Sequence, residues 1–276
     1  MAEFSSSCLI FFNQIALGGL FALSATPFHE LDRAFYKSTG GVLFVVAILS
    51  LWGASSFYWT SLSKQFTLFA TAQVVLHSCF VLCFACYIVS LWGENQRFRA
   101  RSFASAILTG LIALILSARS FYSAPVFSFE AFVYPVSFLL SALVLGSVTV
   151  GMLIGHWYLI DTGQTLDPFV RIYKFFVVVL IVQTAFFWFS ALLLYFFGSP
   201  QSPPGLERLW FRHSTLLIMR ILAGQVTPLI LAWMIWRTLL IPHTMAATGL
   251  FYIALLGVFV GEILGRQILA LTSLPF

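Results

Sequence analysis

The sequence GLFYIALLGVFVGEILGRQILAL, residues 249–271, is the most informative part of the chain for its fold. It is apolar over a length that crosses a bilayer as an α-helix, because about 20 residues span the hydrocarbon core. Glu262 and Arg266 interrupt it, and their spacing of four places both on one helix face, with the acid preceding the base in the favourable order. Ionisable side chains in a span face the protein interior or a water-filled cavity and indicate function. The stretch therefore predicts a membrane helix with an internal charged pair.

The rest of the chain has the same character. Of its 276 residues, 61% are hydrophobic and only 8% are charged, which exceeds what the core of a soluble protein needs. Apolar runs of spanning length recur and strand-like alternation is absent, so the sequence predicts an all-α polytopic membrane protein with eight transmembrane helices. The predicted spans cover approximately residues 8–26, 41–59, 68–92, 102–121, 131–155, 172–198, 214–236 and 244–271. The longest connection, residues 199–213, opens with the loop composition Ser-Pro-Gln-Ser-Pro-Pro-Gly.

The two halves of the chain resemble each other. A shift of 147 residues places Gly110 on Gly257 and Arg119 on Arg266, and each arginine closes an even-numbered span. Repeats joined after four helices keep the same orientation in the membrane. We therefore predict a parallel duplication, with residues 1–125 and 126–276 forming two side-by-side four-helix bundles.

Basic residues set the predicted orientation. The net charge of +5 comes from residues placed singly or in threes in short loops, which is typical of topology signals and not of nucleic-acid binding. Eight lie in the loops after odd-numbered spans and five on the opposite side, which predicts that both termini are non-cytoplasmic. The eight are Arg33, Lys37, Arg97, Arg99, Arg101, Arg171, Lys174 and Arg237.

Cysteines and histidines argue against a metal centre. Cys83 and Cys86 form a C-x-x-C spacing inside a span, and with no second such pair we interpret them as small buried hydrophobes in preference to a redox pair. Haem held by two histidines needs two rings facing each other within the bilayer, and only His77 lies well inside a span. No haem is expected.

Four stretches carry a family resemblance. The motif GEILGR at residues 261–266 resembles the closing motif of the DmsC-type anchor subunits of DMSO reductase, within the wider NrfD-like family. Residues 12–19 are similar to the opening helix of that family, with its paired glycines. Residues 118–122, followed by Pro125, resemble its Arg-x-Tyr segment, and residues 151–161 fall where its fifth span ends.

The resemblance implies an eight-helix subunit of the bacterial inner membrane. Such a subunit docks the iron–sulfur subunit of a molybdopterin oxidoreductase and exchanges electrons and protons with menaquinone or ubiquinone. The sequence departs from the family at two places. The family's histidine after span 2, followed by Gly and Arg, is absent from SSFYWTSLSK at residues 55–64, and Gln65 and Gln73 are the only amides where span 3 is expected to begin with an acid.

Span 3 offers the best candidate for proton transfer. A quinone site needs an apolar slot, hydrogen-bond donors for the carbonyls and a group that passes protons. His77 lies inside the span, and Gln73 lies one turn away on the same face, where it could orient the ring. The alternative is that His77 only makes a hydrogen bond between helices, as polar side chains in membranes often do.

A second group combines Glu262 and Arg266 with Arg119 of the fourth span. Either it is a static ion pair that locks the two halves, or it is a proton-relay and docking element at the outer face. We also expect Tyr122, in the segment that resembles the family's Arg-x-Tyr, to lie near a bound quinone together with these residues. Arg220 lies deeper, with no acid within one turn, so we expect its partner on another helix or in water.

Two groups lie at the predicted cytoplasmic ends of spans. His156, close to Asp161, either admits protons or contacts a partner, or is an ordinary interfacial histidine. His29, close to Glu30, Asp32 and Arg33, has the same alternatives.

Together these observations predict a membrane anchor subunit of a respiratory oxidoreductase, with His77, Gln73, Arg119, Tyr122, Glu262 and Arg266 as the residues around a quinone. The predicted partners are the iron–sulfur and molybdopterin subunits of the same complex and membrane lipid. One alternative is a structural subunit without quinone chemistry, which the missing family residues favour. Another is a small-solute transporter, although matching pairs of Gly/Pro-broken helices, the usual pointer, are absent.

Overall fold

The computed structural model describes residues 2–26, 28, 30–64, 68–122, 124–125, 127–161, 163–200, 202–241 and 243–276, with residues 2–6, 56–57 and 60–64 described by their backbone. This part of the chain is almost wholly helical and contains no strand. Eight of its helical stretches are long and apolar enough to cross a membrane, which confirms the predicted all-α polytopic class.

The described residues contain ten α-helices, and all but the short seventh belong to these eight stretches. They are α1 (Ala2–Ser24), α2 (Arg33–Lys64), α3 (Leu68–Ser90), α4 (Gln96–Ala118), α5 (Phe129–Ile160), α6 (Asp167–Phe197), α7 (Ser202–Arg212), α8 (Ser214–Ile221), α9 (Thr227–Leu239) and α10 (Thr244–Thr272). A 3₁₀ turn, Arg119–Phe121, extends α4, and a π-helical segment, Leu222–Val226, joins α8 to α9 into one span.

Local sequence explains where several helices begin. Asn95 precedes α4, and its side chain accepts a hydrogen bond from the Phe98 N–H, while Ser128 caps α5 through the Ala131 N–H. Both satisfy backbone donors that have no partner inside the first turn. Pro168 lies in the first turn of α6, where its missing N–H costs nothing.

The connection at residues 199–213, predicted as a loop, contains α7, so that prediction is wrong. Proline and glycine suggested a turn, but Pro203 and Pro204 lie in the first turn of a helix, where proline is tolerated. Leu209 is buried while Trp210 and Phe211 are exposed. The sequence Ser-Pro-Pro-Gly at residues 202–205 thus begins a short helix that packs one face against the protein.

Neighbouring spans pack in two groups. In the first, α1, α2, α3 and α4 contact one another in a ring, and in the second α5, α6, α9 and α10 do the same. The most extensive interface in the molecule joins the two groups, between α1 and α5. Because packing is continuous across this boundary, the division into two domains at residue 125 stays a prediction.

Glycine makes the α1–α5 interface close. A Cβ built on Gly18 would lie 1.6 Å from the Ala142 carbonyl oxygen, and one built on Gly146 would lie 1.8 Å from the Gly18 carbonyl carbon. Gln14 also donates from Nε2 to the Phe138 carbonyl at 2.8 Å. Small residues let helix backbones touch, as in other tightly packed membrane helices. The centre of the molecule is therefore a backbone-to-backbone contact between the first helix of each group.

Candidate functional site

A charged network lies in the second group of spans and consists of Glu262, Arg220, Arg266 and Gln183. The Glu262 Oε1 accepts hydrogen bonds from Arg220 Nη2 at 2.8 Å and from Gln183 Nε2 at 2.6 Å. The Arg266 Nη2 lies 3.6 Å from Glu262 Oε2. All four residues are at most 6% exposed. The network ties α6, α8 and α10 together in the interior, as the sequence predicted for Glu262 and Arg266.

The π-helical segment shapes the helix that brings Arg220 to Glu262. Pro228 has no N–H to donate four residues back, and the preceding Thr227 N–H instead reaches the Leu222 carbonyl, five residues back. This segment packs on α10 so closely that a Cβ on Gly261 would lie 2.2 Å from the Gly224 Cα. The two spans therefore meet beside the ion pair, which places Arg220 against Glu262.

Arg266 connects the network to the rest of the molecule. Its guanidinium lies over the Phe138 ring of α5, 4.6 Å from the centroid, a cation–π contact. Its backbone carbonyl accepts a hydrogen bond from the Ser7 hydroxyl of α1 at 3.3 Å. Through this one residue, α10 contacts the first helix of each group of spans.

The network carries one more positive than negative group. Arg220 Nε and Nη1, Arg266 Nε and Gln225 Nε2 are buried without a hydrogen-bond partner among the described residues. A buried ion pair is costly to form and more costly to break, since removal of one partner leaves the other charge uncompensated. This geometry favours the static alternative, a lock between helices.

Arg119 lies elsewhere and does not join this network. It occupies the 3₁₀ turn after α4, where its Nη1 donates to the Tyr122 carbonyl and its guanidinium lies 4.6 Å from the centroid of the Tyr122 ring. In the described part of the chain, Arg220 is the second arginine that pairs with Glu262. The expected grouping of Arg119 with Glu262 is therefore wrong, because its own turn already supplies its partners.

A second cluster, the histidine cluster, contains His77, Tyr58, Gln73 and Ser120. Nδ1 of His77 and the Tyr58 hydroxyl are 2.8 Å apart, and the two rings meet edge to face. His77 is 6% exposed, and its Nε2 is buried without a partner among the described residues. Gln73, one turn earlier, donates from Nε2 to the Ser120 hydroxyl at 2.8 Å. The cluster joins α2, α3 and the end of α4, and Arg119 and Tyr122 lie at the same end.

Sequence reasoning missed three of these residues. Tyr58 lies in the very stretch, residues 55–64, that was noted for lacking the family's histidine. Gln183 is an amide in an otherwise apolar span, a signal that could have identified it, because such side chains bond across helices. Ser120 carries no such signal. For Arg220, the expectation of a partner on another helix is confirmed.

The groups predicted at the other membrane face have ordinary partners. His156 Nδ1 lies 3.2 Å from the Tyr252 hydroxyl in an exposed pair, while Asp161 accepts from Gln164. His29 lies outside the described residues. Glu30 forms an ion pair with Arg171 at 3.0 Å. Cys83 and Cys86 are free thiols, but Cys83 is half-buried and Cys86 is exposed, so the prediction that both are buried is wrong.

No protein-family model matches the chain, and neither a curated protein nor a solved structure matches it. Fold and polar groups together define a class, namely an all-α, multi-pass membrane protein that buries a charged network between its helices.

Proposed function

We propose that this protein is a membrane anchor subunit of a respiratory oxidoreductase and that it exchanges electrons and protons with a quinone at the histidine cluster. One observation carries the proposal. His77 is buried, holds Tyr58 through one ring nitrogen and leaves the other nitrogen without a partner among the described residues. Buried polar atoms in native proteins nearly always have a partner, so an open nitrogen suggests a ligand.

These residues suit a quinone carbonyl. A bound quinone supplies the redox chemistry, taking up two electrons and two protons to become a quinol. Nε2 of His77 is placed to hydrogen-bond a carbonyl oxygen and to pass it a proton, with Tyr58 orienting the ring and linking it to the end of the span. Gln73, Arg119 and Tyr122 lie at the same end and supply polar contacts at the entrance.

Glu262 and Arg266 have a different role in this proposal. They fix α10 against α5, α6 and α8, and so hold the second group of spans together, without touching the quinone. The resemblance of residues 261–266 to the closing motif of the DmsC-type subunits supports partners of that kind, an iron–sulfur subunit and a molybdopterin subunit. The loops rich in Lys and Arg are assigned to the cytoplasmic side of a bacterial inner membrane, which leaves both termini on the other side.

A purely structural subunit is the second candidate. The charged network favours it, because Glu262 contacts Gln183, Arg220 and Arg266 and so joins α6, α8 and α10 through protein groups. In that role the protein would assemble with the same partners and hold no quinone.

The test is purification of the tagged full-length chain in mild detergent, followed by mass spectrometry of partner proteins and solvent extraction of quinones. We expect an iron–sulfur protein and about one quinone per chain. His77→Gln removes the proton carrier and should lower quinol-dependent reduction of the partner by about 10²-fold or more. Tyr58→Phe removes the residue that orients the ring of His77, and we expect a smaller loss. Tyr252→Phe, which breaks the exposed Tyr–His pair, is the matched control and should retain activity.

Three outcomes would contradict the quinone proposal in different ways. Partners without quinone would establish the structural subunit. A lone protein that moves a solute into vesicles would establish a transporter. Equal activity of His77→Gln and Tyr252→Phe would remove the histidine cluster from the reaction.

A further inference from the structure

A cavity lies at the opposite end of the first group of spans from the histidine cluster. Its volume is about 370 Å³, within the range of small-ligand sites. Phe28, Tyr36 and Leu91 form its apolar wall, and Arg33 and Arg99 its basic wall. We call it the arginine cleft. None of the residues assigned above to the quinone or to the charged network lines it.

Arg99 is the unusual residue of the arginine cleft. It is 8% exposed, and its Nη2 donates to the Gly93 carbonyl at 2.8 Å. Its Nε is buried without a partner among the described residues. A buried guanidinium that is not paired with a carboxylate is costly, so its position is explained best by an anion that completes its hydrogen bonds.

Two helix N-termini also converge on the cleft. Arg33 and Tyr36 belong to the first turn of α2, while Gln96 and Arg99 belong to the first turn of α4. The ends of helices that carry free N–H groups attract anions, phosphate above all. Among the described residues, the Asp32 side chain accepts from the Ala34 N–H and the Asn95 side chain from the Phe98 N–H, so each cap satisfies one N–H of its first turn.

The nearby acids are Asp32, which caps α2 through the Ala34 N–H, Glu94 and Glu30, and each of them has a partner other than Arg99. Glu94 pairs with Arg33 at 3.2 Å, but its side chain is 90% exposed, so the pair is weak and easily exchanged for a stronger anion. Glu30 is held by Arg171 on α6. Among the acids of the described loops around the cleft, Arg99 therefore has no carboxylate partner in any ion pair.

We propose that the arginine cleft binds the phosphate headgroup of an anionic phospholipid, with Arg99 and Arg33 on the phosphate and the aromatic wall against the first carbons of the lipid. Both parts of the cleft are needed for this choice, because a free phosphate would leave the apolar wall without a partner. Basic pockets between membrane helices on the cytoplasmic side recognise such headgroups, and this end of the helices is the one predicted to be cytoplasmic. The proposal is independent of the quinone proposal.

The test measures lipid binding to the delipidated full-length protein by native mass spectrometry. The probes are phosphatidylglycerol, phosphatidylcholine and inorganic phosphate. We expect phosphatidylglycerol to bind about tenfold more tightly than phosphatidylcholine, because both lipids offer a phosphate but the choline cation of phosphatidylcholine would be repelled by the two arginines. Arg99→Gln should abolish that preference. Arg97→Gln and Arg101→Gln are matched controls on the same helix, since both arginines are exposed, and they should keep it.

A second variant guards against misfolding of Arg99→Gln. Ala100 lines the cleft from its exposed side, so Ala100→Leu fills the cavity while the backbone contacts of Arg99 remain. It should also lose about tenfold in affinity for phosphatidylglycerol. Equal lipid preference in wild type, Arg99→Gln and Ala100→Leu would overturn the proposal, as would an equal loss in the Arg97 and Arg101 controls, which would indicate nonspecific surface charge. Tight binding of inorganic phosphate that displaces the lipid would assign the cleft to a soluble phosphate compound and overturn the lipid.

Discussion

The two groups of spans treat their polar side chains differently. In the second group, Arg220 and Gln183 both donate to Glu262 in the interior, so that one carboxylate joins three helices. In the first group, His77 is equally buried but leaves one ring nitrogen without a partner among the described residues, and its neighbour Gln73 is half-buried. The second group therefore joins its helices through a buried ion pair, while the first joins α2 and α3 through a Tyr–His hydrogen bond and leaves the other ring nitrogen without a partner among the described residues.

This difference separates a buried ion pair, which holds helices together, from a buried histidine with an open ring nitrogen. A closed network of charges stabilises only if every partner remains, so it fixes a helix arrangement. An open histidine can bind and release a ligand or a proton. If the two halves descend from one four-helix unit, the halves have divided these tasks between them.

The largest loss of stability is expected for Glu262→Gln. The substitution keeps the shape of the side chain and leaves two buried guanidinium groups without a carboxylate. We expect it to lower the free energy of unfolding by about 3–5 kcal/mol. Unfolding by SDS in mixed micelles, followed by circular dichroism, measures this loss.

Glu94→Gln provides the control, because it removes the exposed carboxylate that pairs with Arg33. A surface pair contributes about 0–1 kcal/mol, so the control should unfold almost as the wild type does. Similar losses in the two variants would mean that the charged network is not the lock described above.

Much of this molecule could be predicted from sequence. The eight spans follow from apolar length alone, and the spacing of Glu262 and Arg266 is enough to place both inside the protein. Which arginine pairs with Glu262 could not be predicted, because it depends on how two helices cross. Arg220 reaches it beside a π-helical segment and a contact between Gly224 and Gly261, and neither feature has a periodic signature.

Composition gave a wrong prediction for residues 199–213 and gave no signal for Tyr58. Residues 199–213 have the composition of a loop but contain α7. Composition does not distinguish proline in the first turn of a helix from proline in a loop. The histidine cluster depends on Tyr58, which is one aromatic residue among many in a chain with 9 tyrosines and 31 phenylalanines. Only the fold shows which of them meets His77.

The next largest effect comes from the contact that joins the two groups. Gly146→Ala places a methyl group where the α1 backbone lies, 1.8 Å from the Gly18 carbonyl carbon. We expect a loss of about 3 kcal/mol, because neither backbone can move without separating α1 from α5. Gly249→Ala, with no atom within 4 Å of the new Cβ, should be neutral or slightly stabilising in the same SDS titration. A neutral Gly146→Ala would mean that the two groups can part freely.

A glutamine-to-leucine substitution in each group compares the strength of their interhelical hydrogen bonds. Gln183→Leu removes a donor to a buried carboxylate, and hydrogen bonds to charged groups contribute about 1.5–3 kcal/mol. Gln73→Leu removes the exposed bond to Ser120, for which about 0.6 kcal/mol is typical between membrane helices. Unfolding free energies of the two variants, measured side by side, should therefore differ by more than about 1 kcal/mol. Equal losses would show that the first group is as tightly locked as the second.

The smallest effect concerns the two Tyr–His pairs, one in each group of spans. Tyr58→Phe leaves Nδ1 of the buried His77 without its partner, and an unsatisfied buried polar atom costs about 1 kcal/mol or slightly more. Tyr252→Phe frees His156 at an exposed position, where water replaces the lost bond, so we expect almost no change. If a quinone analogue forms a hydrogen bond with His77 Nε2, its addition should restore part of the unfolding free energy that Tyr58→Phe loses. It should leave Tyr252→Phe unaffected, and an analogue that stabilises both variants equally would place its binding site away from His77.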